Sequence, residues 1–381
     1  MLKRNKFSGN AGKYFSVLAV LCFAAIMFAA CDTGGTVSSG DTVTVYIPGT
    51  TNGHEACYWV NNDQITLNHP GSATKSVGKY ITVFQGDIYV AGYYREDSGG
   101  STKDYACYWV NDGAPVTLPV TGTLKNSSTT GIAVSDDGIY IAGYYSNESD
   151  SKLCYWVDKG TGPVEIPLTV SEGSIYSSET SGIAVAADGK VYIAGYYKID
   201  KGDSMETKVC YWVDDGTPTN NIDMKILNGA EDPKINAITA SGGSVYMAGD
   251  CSLTSVESAA CYWKNNNECT VLHPQGEAIP SDATAIAVSG STVYTAGVLS
   301  GEEGASVACY WKDTKFYDIA PAGVFSMVMG ITVHNGSPYL AGAFYNTDGI
   351  MKSYYWNKGK NYTTGVLNGN LESYSCFIEV K

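Results

Sequence analysis

The chain has 381 residues, of which 44% are hydrophobic, 12% aromatic and only 16% charged. With 29 tyrosines and 43 glycines, this composition excludes a coiled coil, a helical bundle and a disordered chain. The formal net charge of −14 excludes a nucleic-acid binder, which needs a basic face. Length alone would suggest two or three domains, although single all-β domains run large.

Residues 1–13 carry Lys3, Arg4, Lys6 and Lys13 and no acid; the apolar run Tyr14 to Ala30 follows, and then Cys31. A basic start, an apolar centre and small residues at the end form a secretory signal. Seventeen apolar residues lie at the short limit for a membrane-spanning helix. The segment Phe28-Ala29-Ala30-Cys31 resembles the lipobox of bacterial lipoproteins, departing from it in having Phe28 where Leu is preferred. The resemblance implies cleavage after residue 30 and a lipid on Cys31. Acyl chains contribute about 0.8 kcal/mol per buried CH2 to membrane attachment. Residues 31–42 then read as the lipidated Cys and a flexible Gly/Ser/Thr tether, which leaves 43–381 for the folded domain.

That remainder is built of repeats. Cys-Tyr-Trp begins at Cys57, Cys107, Cys154, Cys210, Cys261 and Cys309, with Tyr354-Tyr355-Trp356 as a seventh copy, at spacings of 50, 47, 56, 51, 48 and 45 residues. The seven copies use every tryptophan of the chain: Trp59, Trp109, Trp156, Trp212, Trp263, Trp311 and Trp356. A VYxAG-like segment precedes each copy from the second onward, as in IYVAGYY at Ile88 or VYMAGD at Val245. Before that comes a GIAV-like segment, as at Gly131 and Gly182, ending in D-G, G-G or N-G. Short β-rich runs joined by such turns signal hairpins. Another short strand follows each Cys-Tyr-Trp, for example Gln64 onward and Pro115 onward.

Four strands per unit of about 49 residues make one blade of a β-propeller. Val43 to Gly49 (VTVYIPG) lacks a preceding GIAV strand, and Ser375 to Lys381 (SCFIEVK) has nothing after it. Each end supplies what the other lacks. The expected fold is therefore all-β, a seven-bladed β-propeller of four-stranded blades whose ring is closed by the C-terminal strand.

In Cys-Tyr-Trp, side chains alternate faces, so Cys and Trp share one side and Tyr takes the other. The seven tryptophans are predicted to be wedges between blades, each removing on the order of 200 Å² from water. The Ala-Gly of VYxAG is expected where strands approach too closely for a side chain. Packed sheets are about 10 Å apart, too far for a disulfide between equivalent cysteines of adjacent blades. The six repeat cysteines therefore read as small buried residues. Cys251, Cys269 and Cys376 fall outside the pattern, and the first two share a blade with Cys261, leaving room for one local bridge.

The order G-I-x-V, [IV]-Y-x-A-G, a variable gap, then A-C-Y-W is similar to bacterial extracellular propeller repeats of the HAF type and, more distantly, to Kelch repeats. It departs in having Ala-Val after Gly-Ile and Cys-Tyr before Trp. The resemblance implies an exported propeller and no particular activity.

No phosphate loop, H-E-x-x-H or CxxC pair is present, so neither a cofactor nor a metal is expected. His69-Pro70 and His273-Pro274 read as turn residues. The acids are spread over the blades rather than gathered in one, which argues against catalysis. Polar, acidic segments between the second and third strands, such as that from Arg95, are expected to be loops on one face, where binding usually resides. The aromatics leading into them are the candidate ligand contacts: Tyr93, Tyr94, Tyr144, Tyr145, Tyr196, Tyr197, Phe344 and Tyr345. One of each adjacent pair should pack against a neighbouring blade. The expected protein is a monomeric, lipid-anchored binding module of the cell envelope for a protein or glycan, with no nucleic-acid partner. A glycan-active enzyme and a structural component of an envelope complex are the alternatives.

Overall fold

The computed structural model describes residues 43–51, 53–122, 126–147, 151–158, 162–215, 222–223, 230–273, 279–300, 306–319, 325–345, 351–357, 365–366 and 379–380. The signal segment, Cys31, the tether and Cys376 lie outside the described residues. Seven four-stranded antiparallel sheets follow one another around a ring. Six are continuous in sequence, starting at Ala73, Asn126, Ser174, Glu231, Ser281 and Ser326. The first blade is composite: Val45–Thr51, Glu55–Val60 and Asp63–Thr66 take Glu379–Val380 as the inner strand, with Val45 opposite Val380. Each inner strand touches the next around the axis. The last of the six, Ser326–His334, reaches Glu379–Val380, which in turn reaches Ala73–Phe84 and closes the ring.

The repeat motifs explain why the blades form. In six blades the inner strand carries a one-residue bulge opposite Ala-Gly, as at Gly78/Tyr80, Thr129/Gly131 and Thr180/Gly182. The bulge drives a backbone carbonyl towards the glycine. A Cβ at Gly92, Gly143 or Gly195 would collide with the carbonyl oxygen of Val77, Ser128 or Glu179. On two of these glycines lies the repeat tryptophan, whose ring would stand 2.8 Å from a Cβ at Gly143 (Trp156) and 3.1 Å at Gly195 (Trp212).

Cys-Tyr-Trp clasps both neighbouring blades. Trp109, Trp156 and Trp212 donate through Nε1 to Asn68, Pro119 and Pro167 carbonyls of the preceding blade, at 2.6, 2.7 and 2.8 Å. The intervening tyrosines point the other way. Tyr108 donates to Asp158 of the following blade at 2.7 Å, and Tyr155 donates to Asp214. All seven tryptophans are buried, and each removes about 5 kcal/mol worth of apolar surface from water before entropy is counted. The cysteines alongside are buried thiols, and none of those described is disulfide-bonded.

Two further repeated devices hold the blades. In four blades the amide before the repeat cysteine is met by a serine of the next inner strand: Ala56 by Ser76, Ala106 by Ser127, Ala260 by Ser281 and Ala308 by Ser326, at 2.9–3.1 Å. Two residues beyond the tryptophan, Asn61, Asn111, Asn265 and Asp313 adopt φ of 53–57°. Their side-chain oxygens accept the amide that begins the second strand, at 2.9–3.0 Å. Asn and Asp suit this turn because they tolerate the left-handed conformation and cap the amide at once.

The substitution Gly143→Ala should cost on the order of 3 kcal/mol by forcing apart the bulge and the Trp156 ring. Gly71→Ala, where a Cβ meets nothing within 4 Å, should stay within about 0.5 kcal/mol. Denaturant titration of the two variants measures the difference.

Candidate functional site

The hairpins joining second and third strands share one end of the ring, the upper face, with the connections into each inner strand. In two blades the segments expected as loops are β-structure. Asp87–Ser98 pairs with Ser101–Val110 up to a Gly99-Gly100 turn, and Val191–Asp200 pairs with Met205–Asp214 throughout. Charge pairs lie along these arms: Arg95 meets Asp104 of the facing strand with two contacts of 2.6 and 2.8 Å, and Glu206 takes Lys201 across the turn and Lys208 of its own strand at 2.6 and 2.7 Å.

The paired aromatics divide sharply. Tyr94, Tyr145 and Tyr197 are 6%, 1% and 2% exposed. Each turns to the outer strand of its own blade rather than to a neighbouring blade, reaching Thr117, Glu165 and Asp223 at 3.0, 2.6 and 2.9 Å. These three are therefore removed from the ligand-facing set. Phe344 is half-buried, edge-on to Tyr354, and Tyr345 is exposed beside Phe325. Tyr93 and Tyr196 are half-buried and Tyr144 is 37% exposed.

These three first tyrosines fall on consecutive blades and join a continuous arc. Lys79, the bulge residue of its strand, places Nζ 5.0 Å from the Tyr93 ring and 3.0 Å from Ser128 Oγ. Ser128 hydrogen-bonds Tyr144, and Glu179 sits between Tyr144 and Tyr196. Burial pushes all three phenols up, with nearby carboxylates adding to the effect. They remain neutral donors throughout the physiological range.

The arc ends in the fifth blade (231–271), where the repeat changes from AGYY to Ala-Gly-Asp250-Cys251. Asp250 is buried and faces Asp282 of the sixth blade through Ser258, whose Oγ lies 3.3 Å from Asp250 and 2.6 Å from Asp282. Asn236, the bulge residue, donates to Asp250 and to the Ala283 carbonyl. Desolvation, then the Asp282 charge, raises the Asp250 carboxyl to about 7; Lys234, Asn236 and Ser258 offset part of this. The acids remain spread over the blades, but Asp250 and Asp282 of two adjacent blades are brought together. Asp250 and Asp282 meet because a second strand and the next inner strand converge near the axis. The break in the AGYY pattern was the available signal.

At the opposite end of the ring, Tyr294, Tyr310 and Tyr317 line a cavity of about 190 Å³ between the sixth and seventh blades. Stacking of Tyr310 on Tyr317 at 4.7 Å accounts for its walls.

No family model matches the chain, and no curated protein matches it. Among solved structures it is similar to a protein of unknown function from Dyadobacter fermentans, at 8% identity and TM-score 0.49 over 82% of this chain and 98% of that one. It is similar also to the six-bladed lectin of Aleuria aurantia, at 15% identity and TM-score 0.45 over 76% and 94%. A Hadza microbial sialidase matches at 11% and 0.43 over 73% and 70%. These likenesses concern architecture alone. The fold itself defines the class, a seven-bladed β-propeller with a polar, tyrosine-lined upper face.

A carboxyl raised in the fold stabilises it at low pH, and this contribution is lost as pH rises from the ordinary Asp range through about 7. The stability of the native protein relative to Asp250→Asn should therefore fall between about pH 4 and 7, by up to about 1.4 kcal/mol per pH unit, and level off above. Paired denaturation curves at several pH values test the sign.

Proposed function

We propose that this chain is a lipid-anchored binding module of the bacterial cell envelope whose upper face takes a neutral glycan. The observation that carries this reading is the row Tyr93, Tyr144 and Tyr196 on three consecutive blades, flanked by Ser128 and Glu179. Phenol rings offer flat apolar faces to sugar C–H groups, and the flanking oxygens accept sugar hydroxyls. The acidity of the chain disfavours uronic and sialic acids, which carry the same charge sign. Attachment through Cys31 rests on the basic start, the apolar run and the lipobox-like residues.

A second reading has one observation in its favour. Asp250, held protonated towards neutrality beside Asp282, is the arrangement by which an acid and a base divide roles in glycoside cleavage. On this reading Asp250→Asn and Asp282→Asn would each abolish turnover of a polysaccharide that the native protein degrades.

A glycan array probed with the full chain tests the lead proposal. Replacing Tyr93, Tyr144 and Tyr196 together by Ala should weaken binding roughly 100-fold, at about 1 kcal/mol per ring, whereas Tyr94→Phe should leave it unchanged. Binding that survives the triple substitution refutes the tyrosine row as the site. Cys31→Ala should move the protein from the membrane fraction to the soluble one, and retention at the membrane would refute lipidation.

A further inference from the structure

The fifth blade departs from the repeat a second time, beneath the upper face. Cys251, Cys261 and Cys269 come from three successive segments of that blade, and their sulfur atoms all lie within 4.8 Å of one another. Only Cys261 belongs to the repeat. Cys251 stands where Tyr94, Tyr145 and Tyr197 stand in earlier blades, so a ring that would fill the space beside the repeat cysteine is missing. Cys269 precedes the outer strand Thr270–Val271, two residues before the partner of Cys261. Other blades hold Gln64, Pro115, Pro163 and Phe316 at that place. The phenol of the ordinary blade is thus replaced by two further thiols.

From this convergence we propose that the fifth blade holds a three-coordinate site for a soft monovalent cation, Cu(I), ligated by Cys251, Cys261 and Cys269. Thiolate donors select Cu(I), Zn(II) and their heavier relatives over hard ions. Coordination number then separates these. Zn(II) completes a tetrahedron with a fourth protein ligand or water, but the three cysteines are 0%, 0% and 6% exposed and no fourth His, Cys, Asp or Glu joins them among the described residues. Cu(I) is satisfied by three sulfurs in a dry, apolar shell. The surroundings are apolar, the core cluster there including Ile235, Met247 and Leu272.

A disulfide would use two of the three and strand the third, whereas a trigonal ion uses all three equally. The hydrogen bond to Cys261 lowers the Cys251 thiol, but the one to Cys269, with burial, raises it to about 12; burial raises Cys261. Uptake of one Cu(I) therefore releases up to three protons, one from each thiol that becomes a thiolate, and occupancy falls as pH falls. Entry is from the outer rim, where residues 266–268, just before Cys269, are exposed.

The full-length protein, titrated anaerobically with Cu(I) against a Cu(I)-chelating competitor, should bind one equivalent and gain thiolate-to-copper absorption in the ultraviolet. Cys251→Ser and Cys269→Ser should each weaken binding at least 100-fold, while Cys107→Ala, the repeat position of another blade, should not. X-ray absorption on the native copper-loaded protein provides a readout independent of variant folding, with three sulfur neighbours and no nitrogen expected. The proposal is overturned by absent stoichiometric binding, by equal retention of Zn(II), or by a nitrogen ligand. It is equally overturned if alkylation of acid-quenched cells reveals a disulfide between any two of the three.

Discussion

The ring depends on one steric constraint, the absence of a side chain after the alanine of each VYxAG segment. The bulged inner strand presses a carbonyl into that space from one side, and in the third and fourth blades the repeat tryptophan crowds it from the other. Without the bulge, the inner strand would keep strict alternation and carry no extra residue at the axis. The bulge residues Lys79, Thr130, Asn236 and Thr284 all bond into the following blade. The glycine therefore permits the contact that sets one blade against the next.

Around this point the third strand works in both directions. A strand side chain has only two faces to choose from, and in a propeller each face belongs to a different neighbour. Placing Trp and Tyr on adjacent positions thus commits one large ring to each side, and the polar tips of Trp109, Trp156, Trp212, Tyr108 and Tyr155 find fixed partners there. The upper face inherits this rigidity. Tyr93, Tyr144 and Tyr196 leave the second strand one residue beyond the glycine, so the same interlock that spaces the blades spaces the tyrosines.

Much of this was legible in the chain because the repeat is written in residues whose physics is specific. Tryptophan occurs only in the motif, and the unmatched ends at Val43 and Val380 specify each other. The Ser76-type and Asn111-type contacts were less visible, since Ser and Asn are common in any turn-rich sequence. They stand out only when pairing shows which amide each one meets. Reading Tyr93 and Tyr94 as a pair could not say which was inside. That depended on the outer strand, only two residues long in that blade, receiving the second ring. The arc at Asp250 was hidden for a different reason: Asp250, Ser258 and Asp282 belong to two blades and acquire meaning only across the boundary. Deviation from the repeat carried the information there, while attention to the repeat itself averaged it away.

The composite first blade also gives the molecule a direction in time. A polypeptide made from its N-terminus displays Val45–Thr51 as a bare strand edge, able to pair with any extended segment, until Glu379–Val380 is available to cover it. Six blades can stack before then, but the circle stays unlatched, and long-range pairing of this kind is the slow step of β-rich folding. Loss of Glu379–Val380 would leave that edge open permanently, making self-association at the seam the characteristic failure of a chain without it.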